Sequence, residues 1–455
     1  KETIVIAGYY ELKKAATMSE TSARPNSYLY SIFLKEKIEG NGTILSSGKT
    51  WKAARSFAAK HLHESGVNDE SISRSVEHHA SNMVDIIEKT IDQEGPVINL
   101  HRAVAYTVAS IIYEIVLGRK CDFTDSRLWT LKELLDGVLE YVQGVQMLIA
   151  DSYSWLERIL PGDKEYRRLG FELQAYFLRE LALNREKLES ETNNNIRIHE
   201  EISPDNIFAK YLAHPSALVN GDMDIVVLAG DVWTGGMETT LTATRWAIIY
   251  FMGNPEVQER LHEEVIRRYP RNGNGEFSWT TRAELPYLCA VLDEVLRLAN
   301  VLPWNIPHRA LKTFKLGGQT IKEGASMMFS FSSVHHDEEI FPDPFRFNPE
   351  RFLRRVPNEE EREEWTRMGR DLSQFIIYEK DERLCPFGMG QRKCPGEKLA
   401  MKELFVFVIK LIQRFRFVTV ESSPPDMKRR MGMTSTPREF VTRVVKREDW
   451  YNLQG

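Results

Sequence analysis

Between Ser46 and about Leu188, apolar residues recur at intervals of three and four, as in "WKAARSFAAKHLH" and "RAVAYTVASIIYEIVLG". This spacing predicts a succession of helices with almost no strand between them. Ahead of that region, "ETIVIAGYYELKKAA" reads as a strand that runs through a glycine into a helix. The polar, Asn-rich "LESETNNNIRIHEEISPDN" predicts an exposed loop between helices. From Gly221 to about Met252 the chain is apolar on most faces, so a single very long helix is predicted there, deeply buried and crossing the centre of the protein. "FKLGGQTIKEGASMMFS" switches to short strands around a Gly-Gly turn, while "FPDPFRFNPERF" is irregular and rich in proline and aromatics. The fold class that follows is mainly α with a small β portion, without internal repeats.

Composition narrows the function. Of the 455 residues, 42% are hydrophobic and 27% charged, the balance of a folded globular chain. A net charge of -5 argues against a nucleic-acid partner, because binding phosphates takes a concentrated basic surface. The four cysteines, Cys121, Cys289, Cys385 and Cys394, sit in a chain too large to need covalent staples, so no structural disulfide is expected. No apolar run is long enough to span a bilayer and no signal peptide is visible. The chain opens at Lys1 inside what already looks like a folded element, and a native N-terminal segment is expected to precede it.

"FGMGQRKCPGE", Phe387 to Glu397, concentrates the chemistry. Cys394 stands before Pro395, Gly396 and the strong helix formers of "EKLAMKELFVFVIKLIQRF", so its thiol lies at a helix N-terminus. Free N–H groups and aligned peptide dipoles there are expected to favour the thiolate. Gly388, Gly390 and Gly396 let the backbone fold close around the sulfur and approach a flat ligand. Such an arrangement suits a metal ligand; the competing reading is an inert cysteine packed as a small hydrophobe. Zinc does not fit, because Cys385 and Cys394 are too far apart for one arm of a tetrahedral site. His335 and His336 are adjacent, cannot readily face one ion, and read as structural.

Phe387, Gly388, Gly390, Arg392, Cys394 and Gly396 match the pattern F-G-x-G-x-R-x-C-x-G, and from Thr3 to the C-terminus the chain resembles the cytochrome P-450 family of haem-thiolate monooxygenases. The resemblance implies that family's fold, a long central helix over the haem and the cysteine loop beneath it. It also implies a single catalytic domain over residues 1–455, with an N-terminal anchor and the first part of the fold missing. Cys394 would then be the axial ligand of the iron of haem b. Trp51, Arg55, His308 and Arg392 would hold the propionates, and Phe387, Gly388 and Gly396 would shape the loop. Glu294 and Arg297 share a helix face and alone would read as an ordinary ion pair. Together with Arg351 of "NPERF" they resemble the family's buried network that fixes the cysteine loop. In "TGGMETT", Glu238 and Thr239 match an acid–alcohol pair, the hydroxyl hydrogen-bonding dioxygen and the acid helping to deliver protons. Without the family, Gly235 and Gly236 predict only a kink, an opened groove or close helix packing. Trp233, Gly235, Leu302, Ile306 and Met433 fall in segments that resemble the pocket lining, and their mostly apolar character implies a lipophilic substrate.

The likeness is nearest to the animal microsomal branch acting on drugs, steroids and fatty acids. It implies insertion of one atom of dioxygen by hydroxylation or epoxidation, with electrons from NADPH through NADPH-cytochrome P-450 reductase and cytochrome b5 as a further donor. It also implies residence on the cytosolic face of the endoplasmic reticulum membrane through the missing anchor. By the same resemblance Lys52, Lys393, Lys398 and Lys402 flank the proximal side of the haem, where they read either as a basic docking patch or as scattered solvated lysines. Two other readings stay open, a haem-thiolate isomerase or dehydratase acting on a hydroperoxide, and a non-catalytic haem-binding protein.

Overall fold

The structure, a computed structural model, describes residues 3–25, 40–66, 70–144, 146, 149–150, 153–192, 202–270, 279–355, 359–368, 376–420 and 424–449. The chain opens on strand β1 (Thr3–Ile6) and helix α1 (Tyr9–Thr17), joined across Gly8. The helical body follows as α2 (Gly48–Gly66), α3 (Glu70–Glu94), α4 (His101–Leu117), α5 (Ser126–Gln143) and α6 (Asp163–Thr192). One two-residue strand, β2 (Val97–Ile98), interrupts it. Helix α4 is buried on nearly every face, in keeping with "AVAYTVASIIYEIVL", and stops where Gly118 turns left-handed at φ 69° and returns its N–H to the Glu114 carbonyl. Helix α6 runs through Thr192 into the Asn-rich stretch, whose residues 193–201 lie outside the described residues.

After a short helix α7 (Ile207–Ala213), α8 (Asp222–Gly253) forms the axis of the molecule, within one residue at each end of the apolar run. Asp222 and Asp224 in its first turn complement the positive end of the helix, and Pro255 opens α9 (Pro255–Arg268) directly after it. The paired glycines do not break α8, because Gly236 serves a different purpose. A Cβ there would come within 2.6 Å of Ile112 on α4, so the glycine sets how closely the two helices approach. Helix α8 also packs on α2, α6, α10 (Pro286–Ala299) and α13 (Glu397–Arg414), and the main apolar core is built around it.

The β portion is dispersed. Strand β3 (His308–Arg309), the hairpin β4 (Phe314–Leu316) and β5 (Gln319–Ile321), and β6 (Ser326–Phe329) follow α10. The hairpin turns at Gly317 and Gly318, both at positive φ of 54° and 77°, as the Gly-Gly signal requires. Strand β6 pairs parallel with β1 and antiparallel with β3, which brings the start of the chain beside His308. Helices α11 (Phe331–His335) and α12 (Glu359–Arg367) and the pair β7 (Leu353–Arg355) and β8 (Ile376–Tyr378) lead to the cysteine loop. After α13, β9 (Phe415–Val418) and β12 (Thr442–Lys446) close a sheet with β2, and β10 (Arg429–Met431) pairs with β11 (Ser435–Pro437).

One buried acid strains this core. Glu403 on α13 is 1% exposed, its Oε1 has no hydrogen-bond partner, and burial pushes its carboxyl up to about 8. Because the folded protein holds this proton more tightly than the unfolded chain, the native state is penalised progressively as pH rises from the ordinary carboxylate range towards 8. Glu403→Gln, which stays neutral, is expected to melt close to wild type at pH 5 and several degrees above it at pH 8.5. Melting of the intact protein at the two pH values checks this; an equal offset at both would show that charge is not the cause.

Candidate functional site

The cysteine loop is closed by its own backbone. Gly388 N–H donates to the Cys385 carbonyl at 3.0 Å and Cys394 N–H to the Phe387 carbonyl at 2.9 Å, folding the thiol back over Phe387. Gly388 and Gly390 require glycine, at φ 69° and 67°, and a Cβ at Gly390 would land on the Ala16 carbonyl of α1. Gly396, by contrast, caps α13 at φ -90°, and a Cβ there would meet only the sulfur, at an ordinary contact distance of 3.9 Å, so neither backbone conformation nor space requires glycine at this position.

Cys394 is exposed at the edge of its loop, yet the surrounding protein is dense enough that desolvation dominates its titration. The N–H of Gly396 and the charges of Arg55 and Lys393 pull its proton affinity down, as a helix N-terminus should. Burial outweighs them, and the thiol is raised above its ordinary range. The expectation of a thiolate set by the helix alone is therefore corrected: without a cation on the sulfur, the thiol keeps its proton.

Glu294 and Arg297 on α10 are both fully buried and meet in a two-pronged contact at 2.7 and 2.9 Å. Arg297 spends its remaining donors on the carbonyls of His335 and Pro344, at 2.6 and 2.7 Å. Arg351 adds a second cation on Glu294 Oε1 at 3.1 Å, beside the Asn348 N–H at 2.8 Å. One carboxylate thus collects two guanidiniums and a backbone donor, which fastens the "NPERF" segment to α10. His335 is buried, receives the Cys385 N–H on Nε2 at 3.2 Å and is pushed down to about 3, so it is a neutral structural acceptor under the loop.

On α8, Gly235 and Thr239 lie one turn apart on the same face, which stays open. A Cβ at Gly235 would meet nothing within 4 Å, and Thr239 Oγ1 donates back to the Gly235 carbonyl. Glu238 beside it accepts from Thr242 Oγ1 at 3.4 Å, and burial lifts its carboxyl to about 7. Trp233 does not share this face. Two residues from Gly235 it is turned some 200° around the helix, fully buried with its ring edge against Tyr113, 6.4 Å between centroids. Leu302, Ile306 and Met433 are part-buried.

The four residues assigned to the propionates separate into two kinds. Arg392 stacks over Trp51 at 4.0 Å, and its donors already meet the carbonyls of Ser22, Thr43 and Ser46 at 2.9, 3.0 and 2.6 Å. Arg55 donates to the Lys393 carbonyl. These two arginines therefore clamp α2 and its approach onto the cysteine loop. His308 differs: its ring stacks on Phe329 at 4.2 Å, Nδ1 donates to the Thr21 carbonyl at 2.7 Å, and buried Nε2 has no partner. Burial beside Arg24 and Arg392 keeps the ring neutral. An anionic group at Nε2 would reverse that balance, so His308 fits the edge of an acidic cofactor.

Sequence reasoning missed Asp231. This half-buried carboxylate, one turn before Gly235, accepts the N–H groups of Thr43 and Ile44 at 2.5 and 2.9 Å, while Arg24 Nε holds the Ile44 carbonyl at 2.9 Å. The signal available was an acid inside an otherwise apolar helix. Lys402 corrects the expected basic patch: it is 3% exposed and donates to Ser73 Oγ at 2.7 Å, because its place on α13 faces α3.

An exposed thiol on a tightly closed loop, an open face on a buried helix and a histidine whose Nε2 lacks a partner together suit a flat metallo-cofactor with acidic edges. The family profile described as cytochrome P-450 matches residues 1–444. The chain belongs to the cytochrome P-450 family, and with it to the haem-dependent monooxygenases. It is 30% identical over 456 residues to a 3-ketosteroid oxygenase of Caenorhabditis elegans, covering 97% of this chain and 72% of that protein. It is 28% identical over 458 residues to cytochrome P-450 2U1 of Bos taurus, covering 98% and 77%, and 28% identical over 401 residues to cytochrome P-450 2J2 of Homo sapiens, covering 87% and 73%.

Arg297→Lys removes the two-pronged contact and leaves Glu294 under-compensated, at a cost of about 3–5 kcal/mol. Urea unfolding and haem content per chain should both fall sharply, whereas Arg351→Lys, which leaves the Arg297 contact in place, should lose less of each. Equal losses in the two variants would contradict a network centred on the Glu294–Arg297 pair.

Proposed function

We propose that this protein hydroxylates or epoxidises a lipophilic substrate, using one atom of dioxygen and electrons from NADPH delivered by NADPH-cytochrome P-450 reductase, with cytochrome b5 as a further donor. The observation that carries the reading is the pairing of a cysteine loop built for an axial ligand with an acid and an alcohol at the open face of α8. Bound there, haem with a cysteine thiolate supplies dioxygen activation and favours O–O cleavage. Cys394 Sγ would hold the iron, and His308, Trp51, Arg55 and Arg392 would border the acidic edge of the cofactor. The open face at Gly235 admits reactants, Thr239 Oγ1 offers a hydroxyl there, and Glu238, holding its proton near neutral pH, resupplies the site. This acid–alcohol pair favours the monooxygenase over an isomerase, which needs no external protons and electrons.

The likeness to a 3-ketosteroid oxygenase makes a steroid the first substrate class to try. Leu302, Ile306 and Met433 supply apolar pocket wall on this reading, while Trp233 supports it from behind α8. Electron supply is read at the cysteine-loop face, where exposed Lys52 and Lys398 accompany a cleft of about 310 Å³ whose lining lysines, Lys13, Lys380 and Lys393, pair with Glu382 and Glu397 of the same cleft. Among the described residues no helix is long and apolar enough to cross a membrane. An anchor beyond this chain would place the protein on the cytosolic face of the endoplasmic reticulum.

Two measurements test the assignment. The reduced, carbon monoxide-treated holoprotein should lose its long-wavelength thiolate band in Cys394→Ala and keep it in Cys385→Ser, whose thiol is buried beside His335; survival of the band in Cys394→Ala removes the ligand assignment. In a reconstituted system with reductase and a steroid panel, Thr239→Ala should retain NADPH consumption while product per NADPH falls by roughly tenfold or more. Unchanged coupling would assign the hydroxyl's role to another group.

A further inference from the structure

Helix α8 is buried along Asp224–Ala229 and again along Thr240–Met252, and in the window between them Gly235 alone is exposed. Asp231, Glu238 and Thr239, three or four residues away along the same side of the helix, are half-buried and frame it. Nothing in the surrounding protein asks for glycine at this point. Gly236 is required by Ile112 of α4, which a Cβ would meet at 2.6 Å, whereas a Cβ at Gly235 would find nothing within 4 Å. Gly235 keeps a helical backbone without positive φ, so its conformation suits any residue. The bond that returns from Thr239 Oγ1 uses only the Gly235 carbonyl, which every residue offers. Glycine in a helix interior weakens the helix relative to alanine, and no packing contact, turn or hydrogen bond among the described residues offsets that loss. The missing methyl leaves a notch at the centre of the open face.

We propose that Gly235 is a specificity-determining residue, whose notch in the substrate wall selects lipophilic molecules with a branch or ring fusion beside the carbon to be oxidised over unbranched chains. A branched or ring-fused carbon fills the notch and gains the contacts it offers. A slender chain leaves a methyl-sized void against α8 and forfeits them. Alanine would reverse the preference, because its methyl completes the wall for a slender chain and collides with a branch. The inference rests on the reading of the open face of α8 as the substrate side.

Gly235→Ala in the haem-loaded protein tests this with probes that need no turnover. The reduced protein is titrated with tert-butyl isocyanide and n-butyl isocyanide, two iron ligands of one composition that differ only in branching, and the absorption shift on binding is followed. The branched isocyanide should bind Gly235→Ala about tenfold or more weakly than wild type, while the affinity for the unbranched one should change by no more than about twofold. Equal changes for the two ligands, or no change in either, would overturn the proposal. Haem content per chain and melting temperature should not fall in the variant, since alanine strengthens the helix and meets no protein atom. A loss of either would give the space to the cofactor or to the fold, and would overturn the proposal as well. The titrations consume neither dioxygen nor NADPH, so they judge the notch even if the monooxygenase reading fails. Product formed from dioxygen by a protein that treats the two isocyanides alike in both variants would keep that reading and sink the notch.

Discussion

One buried carboxylate holds this site together. Glu294 gathers Arg297, Arg351 and the Asn348 N–H, and through them the carbonyls of His335 and Pro344, onto a single turn of α10. None of these charges has water to fall back on, so their geometry is obligatory: each donor must find its acceptor or the segment cannot pack. His335 transmits the constraint one step further, because its ring nitrogen receives the N–H of Cys385 at the mouth of the cysteine loop. The position of the Cys394 sulfur therefore depends on ion pairs that never touch it.

The opposite wall obeys a different logic. Helix α8 is long and apolar because it must be buried, yet it carries Asp231, Glu238 and Arg245 within fifteen residues. Each has a defined use. Asp231 binds the backbone N–H groups that lead into α2, and Arg245 fixes the C-terminal segment through Glu439. Glu238 has the Thr242 hydroxyl as its hydrogen-bond partner, and burial keeps its carboxyl protonated near neutrality. Stability alone would favour leucine at that position, which is consistent with the proton-delivering role proposed for the acid.

Much of this was legible in the sequence. The period of apolar residues located α8 to within a residue at each end, and the Gly-Gly signal located the hairpin at Gly317 and Gly318, because both depend on local pattern. The cysteine-loop pattern likewise carried its meaning locally, as Gly388 and Gly390 must turn left-handed wherever that loop is made. What failed were inferences about surroundings. Cys394 was expected to ionise from its helix position, and burial outweighs that effect. Lys402 was expected at the surface and Trp233 at the pocket, yet each is turned inward by helix phase against a neighbour distant in sequence. Asp231 went unnoticed because its partners, Thr43 and Ile44, lie nearly two hundred residues earlier.

The central claim is that a cysteine-ligated cofactor in this fold inserts oxygen from dioxygen into an organic substrate. Turnover under isotopically labelled dioxygen in unlabelled water, with product analysed by mass spectrometry, addresses it most directly. The account predicts one labelled oxygen atom in each product molecule and loss of that product in Cys394→Ala. Product formed without label, or formed equally well without NADPH and reductase, would contradict it.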